Sequence, residues 1–327
     1  MNKKPAHVVT VTMNPAIDLA CSVPNFAAGK VNRVVEHRTD AAGKGVNIAG
    51  LLRKFGLPVT VTGFLGRDNA RIFELAFSAK GLADEFVRVP GETRTGIKVL
   101  DPETRSTTDI NFPGLAPSAE HLDELMQTVE RLSRQADIVV IAGSLPGGVP
   151  PDAVAGMVSM VKAQGAKAVV DTSGPALASA IKAAPWLIKP NDEELAELTG
   201  RPLPGLGDLA EEARRLNKAG IATVAVSLGA RGAIFVAGGR ELLSRPPEIQ
   251  AVSTVGAGDA MIGGLVAGMA LDLPLEERVR LATALSAATV AQAGPSLEDL
   301  AYADELKPGV EILNLQGGLA SWQKSSR

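Results

Sequence analysis

Short apolar runs recur along this chain, each separated from the next by a longer segment with helical spacing. Residues 8–12, 59–64, 137–142, 167–171, 186–188 and 223–227 read as strands. Helical patterns cover 46–55, where Gly56 is a stop, then a segment with Ile72, Leu75 and Ala76 that Asp68 could cap. Others carry Leu122, Leu125, Val129 and Leu132, or span 152–164, 175–183, a stretch from Asp192, 257–271 and 275–293. Strand-length runs that are apolar throughout read as strands buried on both faces. Their alternation with helices implies an α/β fold, a mostly parallel sheet covered by helices on both faces. Ligands in such sheets bind outside the carboxyl ends of the strands. The loops that follow the strands are therefore the places to search for chemistry.

Two segments break the rhythm. Residues 31–39 and 95–111 alternate like strands with no helix between nearby strands, and residues 101–105 form a plausible hairpin turn. They read as a small β-sheet lid standing off the main sheet, or as an edge extension of it. No repeat or long linker divides the 327 residues, so 1–315 reads as one domain with its lid, followed by a polar tail at 316–327.

Composition narrows the partners. Lys and Arg number 33 against 36 Asp and Glu, a net charge of −3 without a basic run, which argues against a nucleic-acid partner. Aromatics make up 3% of the chain and leave little for stacking bases. No apolar run reaches the roughly 18 residues of a membrane span, so no membrane partner is expected. A single cysteine, Cys21, excludes an internal disulfide framework and a cysteine-cluster zinc site. A reducing, cytoplasmic setting is the expectation. The scattered His7, His37 and His121 argue against a histidine-dependent triad.

Four segments could carry chemistry. In Thr254-Val255-Gly256-Ala257-Gly258-Asp259, two glycines open a small-residue helix. The N–H groups of Gly256, Ala257 and Gly258 would face an anion at the helix start, and Asp259 would stand beside it. A carboxylate there binds phosphate poorly but can accept a proton from a hydroxyl attacking it. The bland alternative is a helix start with an aspartate that suits the dipole. Gly43-Lys44-Gly45-Val46-Asn47 suggests a P-loop, but Arg38 and Gly45 stand where its first Gly and its Ser or Thr belong. What remains is a flexible backbone opening a helix, with one cation and one amide. Lys189-Pro190-Asn191-Asp192-Glu193-Glu194 could order hydrated Mg²⁺. Asn191 and Glu194 also have the spacing of a capping box, and both readings can hold at once. Ser227-Leu228-Gly229-Ala230-Arg231-Gly232 could lie under a nucleotide or be a plain hairpin turn.

In order along the chain these motifs, with Asn14-Pro15-Ala16-Ile17-Asp18 and Gly143-Ser144-Leu145-Pro146, resemble the ribokinase-like (PfkB) sugar kinases over about residues 8–294. Ala42 departs from the glycine that the family often has there. Residues 12–18, 91–95, 108–112 and 183–191 resemble its phosphosugar branch most. The resemblance implies ATP-dependent phosphorylation of a phosphorylated ketohexose. Fructose 1-phosphate comes first, giving fructose 1,6-bisphosphate; tagatose 6-phosphate and fructose 6-phosphate are the alternatives. It implies Asp259 as general base, with Gly256, Ala257 and Gly258 as anion hole. Asp18, Gly43, Asn47 and Ser144 would hold the sugar, with Lys44 and Arg94 on its phosphate. Lys189, Asn191, Ser227, Gly229, Gly232 and Thr254 would line the ATP site, and Glu194 would order Mg²⁺ through water. A homodimer formed through the lid is expected. The rivals are a kinase of an unphosphorylated sugar or nucleoside, against which Lys44 and Arg94 speak, and a nucleotide sensor without catalysis, against which Asp259 speaks.

Overall fold

A computed structural model describes residues 4–315 apart from 105, 293, 295, 296 and 298. The tail at 316–327, the end of the helix expected to reach 293, and the last residue of the expected 101–105 turn lie outside the described residues.

The first strand, Val8–Thr12, lies inside the main sheet, third from the edge strand Ala83–Asp84. It pairs in parallel with Val59–Gly66 on one side and with Ile138–Ala142 on the other. Beyond the latter, Lys167–Asp171, Leu187–Ile188 and Thr223–Ser227 continue in parallel. Three antiparallel strands, Ala233–Ala237, Arg240–Arg245 and Glu311–Asn314, complete that edge. Successive side chains on a strand face opposite ways, and each face here meets its own apolar layer. Val9, Val11, Val139, Ile141 and Val170 join a core with helices Ala119–Ser133, Asp152–Ala163 and Leu206–Lys218. Val8, Val140 and Val169 join a second with helices Lys44–Lys54, Ala257–Ala270 and Leu275–Val290. Burial on both sides takes even Thr10, Thr12, Thr60 and Thr62 out of solvent, and the strands were legible as short Val/Ile-rich runs.

The helix Ala257–Ala270 is enclosed on every side, with residues 259–269 all buried. It fits because side chains are missing. A Cβ on Gly263 would stand 2.6 Å from Leu51 Cδ2, one on Gly264 2.6 Å from Ala282 Cα, and one on Gly268 2.8 Å from Arg278 Cγ. The helix is thereby pressed against its two neighbours.

Four strands form a separate sheet, in the order Glu36–Ala42, Ala16–Ser22, Thr95–Asp101, Ser106–Asn111. This is the expected lid, with two corrections. The strand expected at 31–39 begins only at Glu36; Val31, Val34 and Val35 precede it and stand exposed. The second strand, Ala16–Ser22, was not expected, because its Asn-Pro start reads as a loop. Asp101 accepts from the Glu103 N–H at 3.0 Å and so closes the expected hairpin turn.

Other differences are local. Asp68 caps nothing: its N–H donates to Gly91 O, and the helix runs Arg71–Lys80 from Ala70. The helix begun at Asp192 ends at Gly200, and Leu206–Lys218 is a separate helix. The short strands Ala83–Asp84 and Val87–Val89, the strand Glu311–Asn314 and the helix Ala301–Leu306 carried no periodic signal long enough to read.

Candidate active site

The parallel strands deliver their carboxyl ends to one edge of the sheet, and most of the expected residues gather there. Thr12 ends the first strand, and helix Lys44–Lys54 starts against it. A Cβ on Gly45 would stand 2.3 Å from Thr12 Oγ1, and Gly43 holds a φ of +134 at the helix start. Only glycine permits this approach and this backbone. The helix then presents Lys44 and Asn47 from its first turn.

Asn47 Nδ2 donates to Asp259 Oδ2 at 2.7 Å, which joins two helices far apart in sequence. Asp259 is buried in the first turn of its helix, behind Gly256 in the left-handed conformation. Of the turn's N–H groups, that of Ala257 makes a long 3.4 Å bond to Thr254 O. Lys189 Nζ lies 3.2 Å from the place where a Cβ of Gly258 would be, so an ammonium sits directly on the glycine turn.

One residue that organises this group was missed by sequence reasoning. Asp171 ends the strand Lys167–Asp171 and is 1% exposed. Its Oδ2 lies 3.3 Å from Lys44 Nζ and its Oδ1 3.4 Å from Lys189 Nζ. The available signal was an aspartate closing a buried parallel strand, where a charge needs a partner or a function. Burial pushes the Asp259 carboxyl up to about 7, and Asp171 adds to that, while the Asn47 hydrogen bond, Lys44 and Lys189 pull it down. Burial works against the charge of Lys44, but Asp171, Asp259 and Glu194 outweigh it and hold the ammonium above its ordinary value. Lys44 was expected to hold the sugar's phosphate with Arg94; in the structure its Nζ pairs with Asp171 and lies in the field of the base.

On the nucleotide side, Asn191 and Ser227 form a parallel bridge at adjoining strand ends. The capping box is real: Glu194 N–H donates to Asn191 Oδ1 at 2.6 Å, and Asn191 N–H to Glu194 Oε2 at 2.9 Å. Gly229 starts a short 3₁₀ turn between antiparallel strands, and Thr254 is exposed on the approach to the glycine turn. A Cβ on Gly232 would stand 1.8 Å from Ser244 O, so hairpin packing by itself accounts for that glycine.

The lid supplies the remaining group. Asp18 faces a cavity of about 160 Å³ whose lining includes Arg38, Asp40 and Lys98 on the lid, with Ser253 and Val255 opposite. Burial lifts the Asp18 carboxyl above its usual value against the pull of Lys98 and Arg94. Arg94 makes one long contact, Nη1 to Asn111 Oδ1 at 3.5 Å, and its Nε is buried with no acceptor. Ser144 is exposed and accepts from Asn14 Nδ2 at 3.0 Å, which ties the Asn-Pro segment to the Gly-Ser-Leu-Pro loop. Among the described residues no three of His, Cys, Asp or Glu cluster to hold a metal, and no helix is long and apolar enough to cross a membrane. A buried carboxylate beside a cation-covered glycine turn, faced by a lid carrying an arginine, can deprotonate a hydroxyl next to a bound phosphate.

The comparisons with known proteins agree with that chemistry. Two curated relatives named 1-phosphofructokinase are similar over most of the chain. That of Rhodobacter capsulatus is 45% identical over 291 residues, 89% of this chain and 92% of that protein. That of Escherichia coli K12 is 41% identical over 292 residues, 89% and 93%. The crystal structure of phosphofructokinase-2 from Escherichia coli in complex with substrates and products superposes with a TM-score of 0.88 at 28% identity, covering 93% of this chain and 99% of that one. The family model described as pfkB family carbohydrate kinase matches residues 7–300, and the chain belongs to that family.

Proposed function

We propose that this protein transfers the γ-phosphoryl group of ATP to the C6 hydroxyl of fructose 1-phosphate, giving fructose 1,6-bisphosphate and ADP. The observation that carries the reading is Asp259, buried, bonded to Asn47 and set in the turn that Lys189 covers. The sugar oxygen attacks phosphorus, its proton passes to Asp259, and the bond from phosphorus to the ADP oxygen breaks. The fixed amides of Gly256 and Gly258 and the Lys189 ammonium stabilise charge on the phosphoryl oxygens. Asn47 aims the carboxylate and keeps its amide oxygen for a sugar hydroxyl; Asp18 takes another, and Ser144 and Gly43 complete the sugar's contacts.

Arg94 takes the phosphate already on the sugar, and its buried, unpaired Nε supports that role. Lys44 stands with Asp171 near the base, so its charge serves the phosphoryl group in transit. Asn191, Ser227, Gly229 and Thr254 border the nucleotide. The choice of fructose 1-phosphate over a 6-phosphate follows the names of the relatives. A coupled ADP-release assay over fructose 1-phosphate, fructose 6-phosphate, tagatose 6-phosphate and fructose tests it. Preference for a 6-phosphate would replace the sugar and keep the kinase; no turnover on any of them would end the reading.

Mg²⁺ fits the donors here through a single carboxylate. A magnesium ion keeps most of its water and needs one or two carboxylates besides substrate phosphates. Glu194 meets that need: one oxygen serves the helix cap, and its charge reaches Lys44. The bound ion would neutralise charge on the nucleotide phosphates. Glu194→Gln keeps the cap, because glutamine also serves in a capping box. The variant is expected to melt at the wild-type temperature but to need about 10-fold more Mg²⁺ for half-maximal activity, as when an outer partner of a metal is lost. A lower melting temperature with unchanged Mg²⁺ dependence would leave Glu194 with the cap alone.

The homodimer is proposed through the outer face of the lid. Cys21, Val23 and Val99 form a small core there with Leu19 and Ile97 against it, and Val31, Val34, Val35 and Ile110 stand exposed beside it. A second lid would cover them. Sedimentation equilibrium with wild type and Val34→Asp checks this: a dimer that the variant dissociates is the expected result.

A further inference from the structure

Lys98 belongs to none of the roles above, yet it is tied to one of them. Its Nζ lies 3.7 Å from Asp18 Oδ2 and 3.4 Å from Asp109 Oδ1. The lid register places these groups on one face. Asp18 stands opposite Gly96 in the neighbouring strand, Lys98 follows two residues on, and Asp109 faces Lys98 across the next strand pair. A Cβ on Gly96 would stand 2.8 Å from Asp18 Oδ1. The missing side chain therefore lets the carboxylate lie across the sheet toward Lys98. Both residues line the cavity between the lid and the approach to the glycine turn.

Other titratable groups share the cavity: Glu36, His37, Arg38 and Asp40 line it from the strand Glu36–Ala42. Asp40 is the register partner of Asp18 on that strand and is itself paired with Arg38 at 2.7 Å. Arg94 and Lys98 act on Asp18 from one side, and Asp109 opposes them. Across the cavity stand Ser253, Val255 and Gly294, none of them charged. Lys98 is thus the cation within ion-pair distance of Asp18.

We infer that Lys98 is a positioning residue for the sugar, setting through this ion pair the direction and the charge of the Asp18 carboxylate. The inference rests on Asp18 taking a sugar hydroxyl, as proposed above. A sugar entering the cavity strips water from Asp18 and makes an ionised carboxylate harder to keep. Lys98 offsets that at the moment of binding. It need not touch the sugar, and its effect belongs in KM rather than in kcat.

The test uses the full-length enzyme with Lys98→Met, Lys98→Arg and Asp109→Asn. Lys98→Met is expected to raise KM for fructose 1-phosphate about 10-fold, the lower end for loss of a charge-assisted contact. Its kcat, its KM for ATP and its melting temperature should stay near wild type, and Lys98→Arg should restore most of the loss. Asp109→Asn removes the other partner of Lys98 and should leave KM nearly unchanged. Binding of fructose 1-phosphate, measured by titration calorimetry in the Asp259→Asn background so that the base cannot titrate, should fail at a higher pH when Lys98→Met is added. The sign follows because Asp18 binds as the anion and loses the cation that favours the anion. Unchanged KM in Lys98→Met, or the same rise in Asp109→Asn, would reduce Lys98 to a hairpin contact and overturn the inference while wild-type turnover stands. A wild type inactive on every sugar phosphate would overturn the functional reading and this inference together.

Discussion

Asp259→Asn should turn over about 10²–10⁴ times more slowly than wild type while binding both substrates nearly as well. The amide keeps the shape and can still bond Asn47, but it cannot accept the proton of the attacking hydroxyl. Single-turnover phosphoryl transfer beside equilibrium binding of fructose 1-phosphate separates the two effects. Turnover at the wild-type rate would remove Asp259 from the chemistry.

The same carboxyl sets the pH dependence. A base held near 7 is ionised above that pH, so the rate should rise through about pH 7 and level off above it. Stability should run the other way. The carboxyl is raised in the fold, so its contribution is fully present below its ordinary value near 4. It is lost as pH rises through about 7. Three units correspond to roughly 4 kcal/mol at about 1.4 per unit. Asp259→Asn escapes this penalty. Melted without ligands, it should exceed wild type above pH 7 by an order of 2–4 kcal/mol and converge with it in acid. Equal stability at both ends would mean that Asp259 is better solvated than its burial implies.

Arg94→Met should lose about 10–150-fold in kcat/KM for fructose 1-phosphate, the equivalent of one charge-assisted contact of about 1.5–3 kcal/mol. Residual activity on free fructose should hardly change, since fructose has no phosphate to anchor. Lys44→Met is the informative companion. Paired with Asp171 in the field of the base, it should damage both substrates alike. If Lys44→Met spares fructose as Arg94→Met does, Lys44 shares the anchor, as the sequence resemblance implies.

What could be read from the chain alone follows from distance along it. The glycine turn and Asp259 are neighbours in sequence, so their chemistry was visible without a fold. The same holds for the cap made by Asn191 and Glu194, where the capping and ligand readings are compatible. The parallel strands were legible because each is a short run rich in Val and Ile between helical segments. The pairing of Lys44 with Asp171 was not, because it depends on which strands lie side by side, and no local pattern encodes that order. Asp171 reads correctly as the last residue of its strand, but nothing in the local sequence says that Lys44 and Lys189 converge on it. The strand Ala16–Ser22 was hidden similarly, since its pairing partners come from both later parts of the lid.

The three glycines along helix Ala257–Ala270 place Asp259 by the atoms they lack. A single methyl group at Gly264 would meet the backbone of the next helix, and the carboxylate would move with its helix. Positions that never meet a substrate therefore take part in setting where the base stands. A variant enlarged at one of them should lose rate without losing any group that touches the reacting atoms.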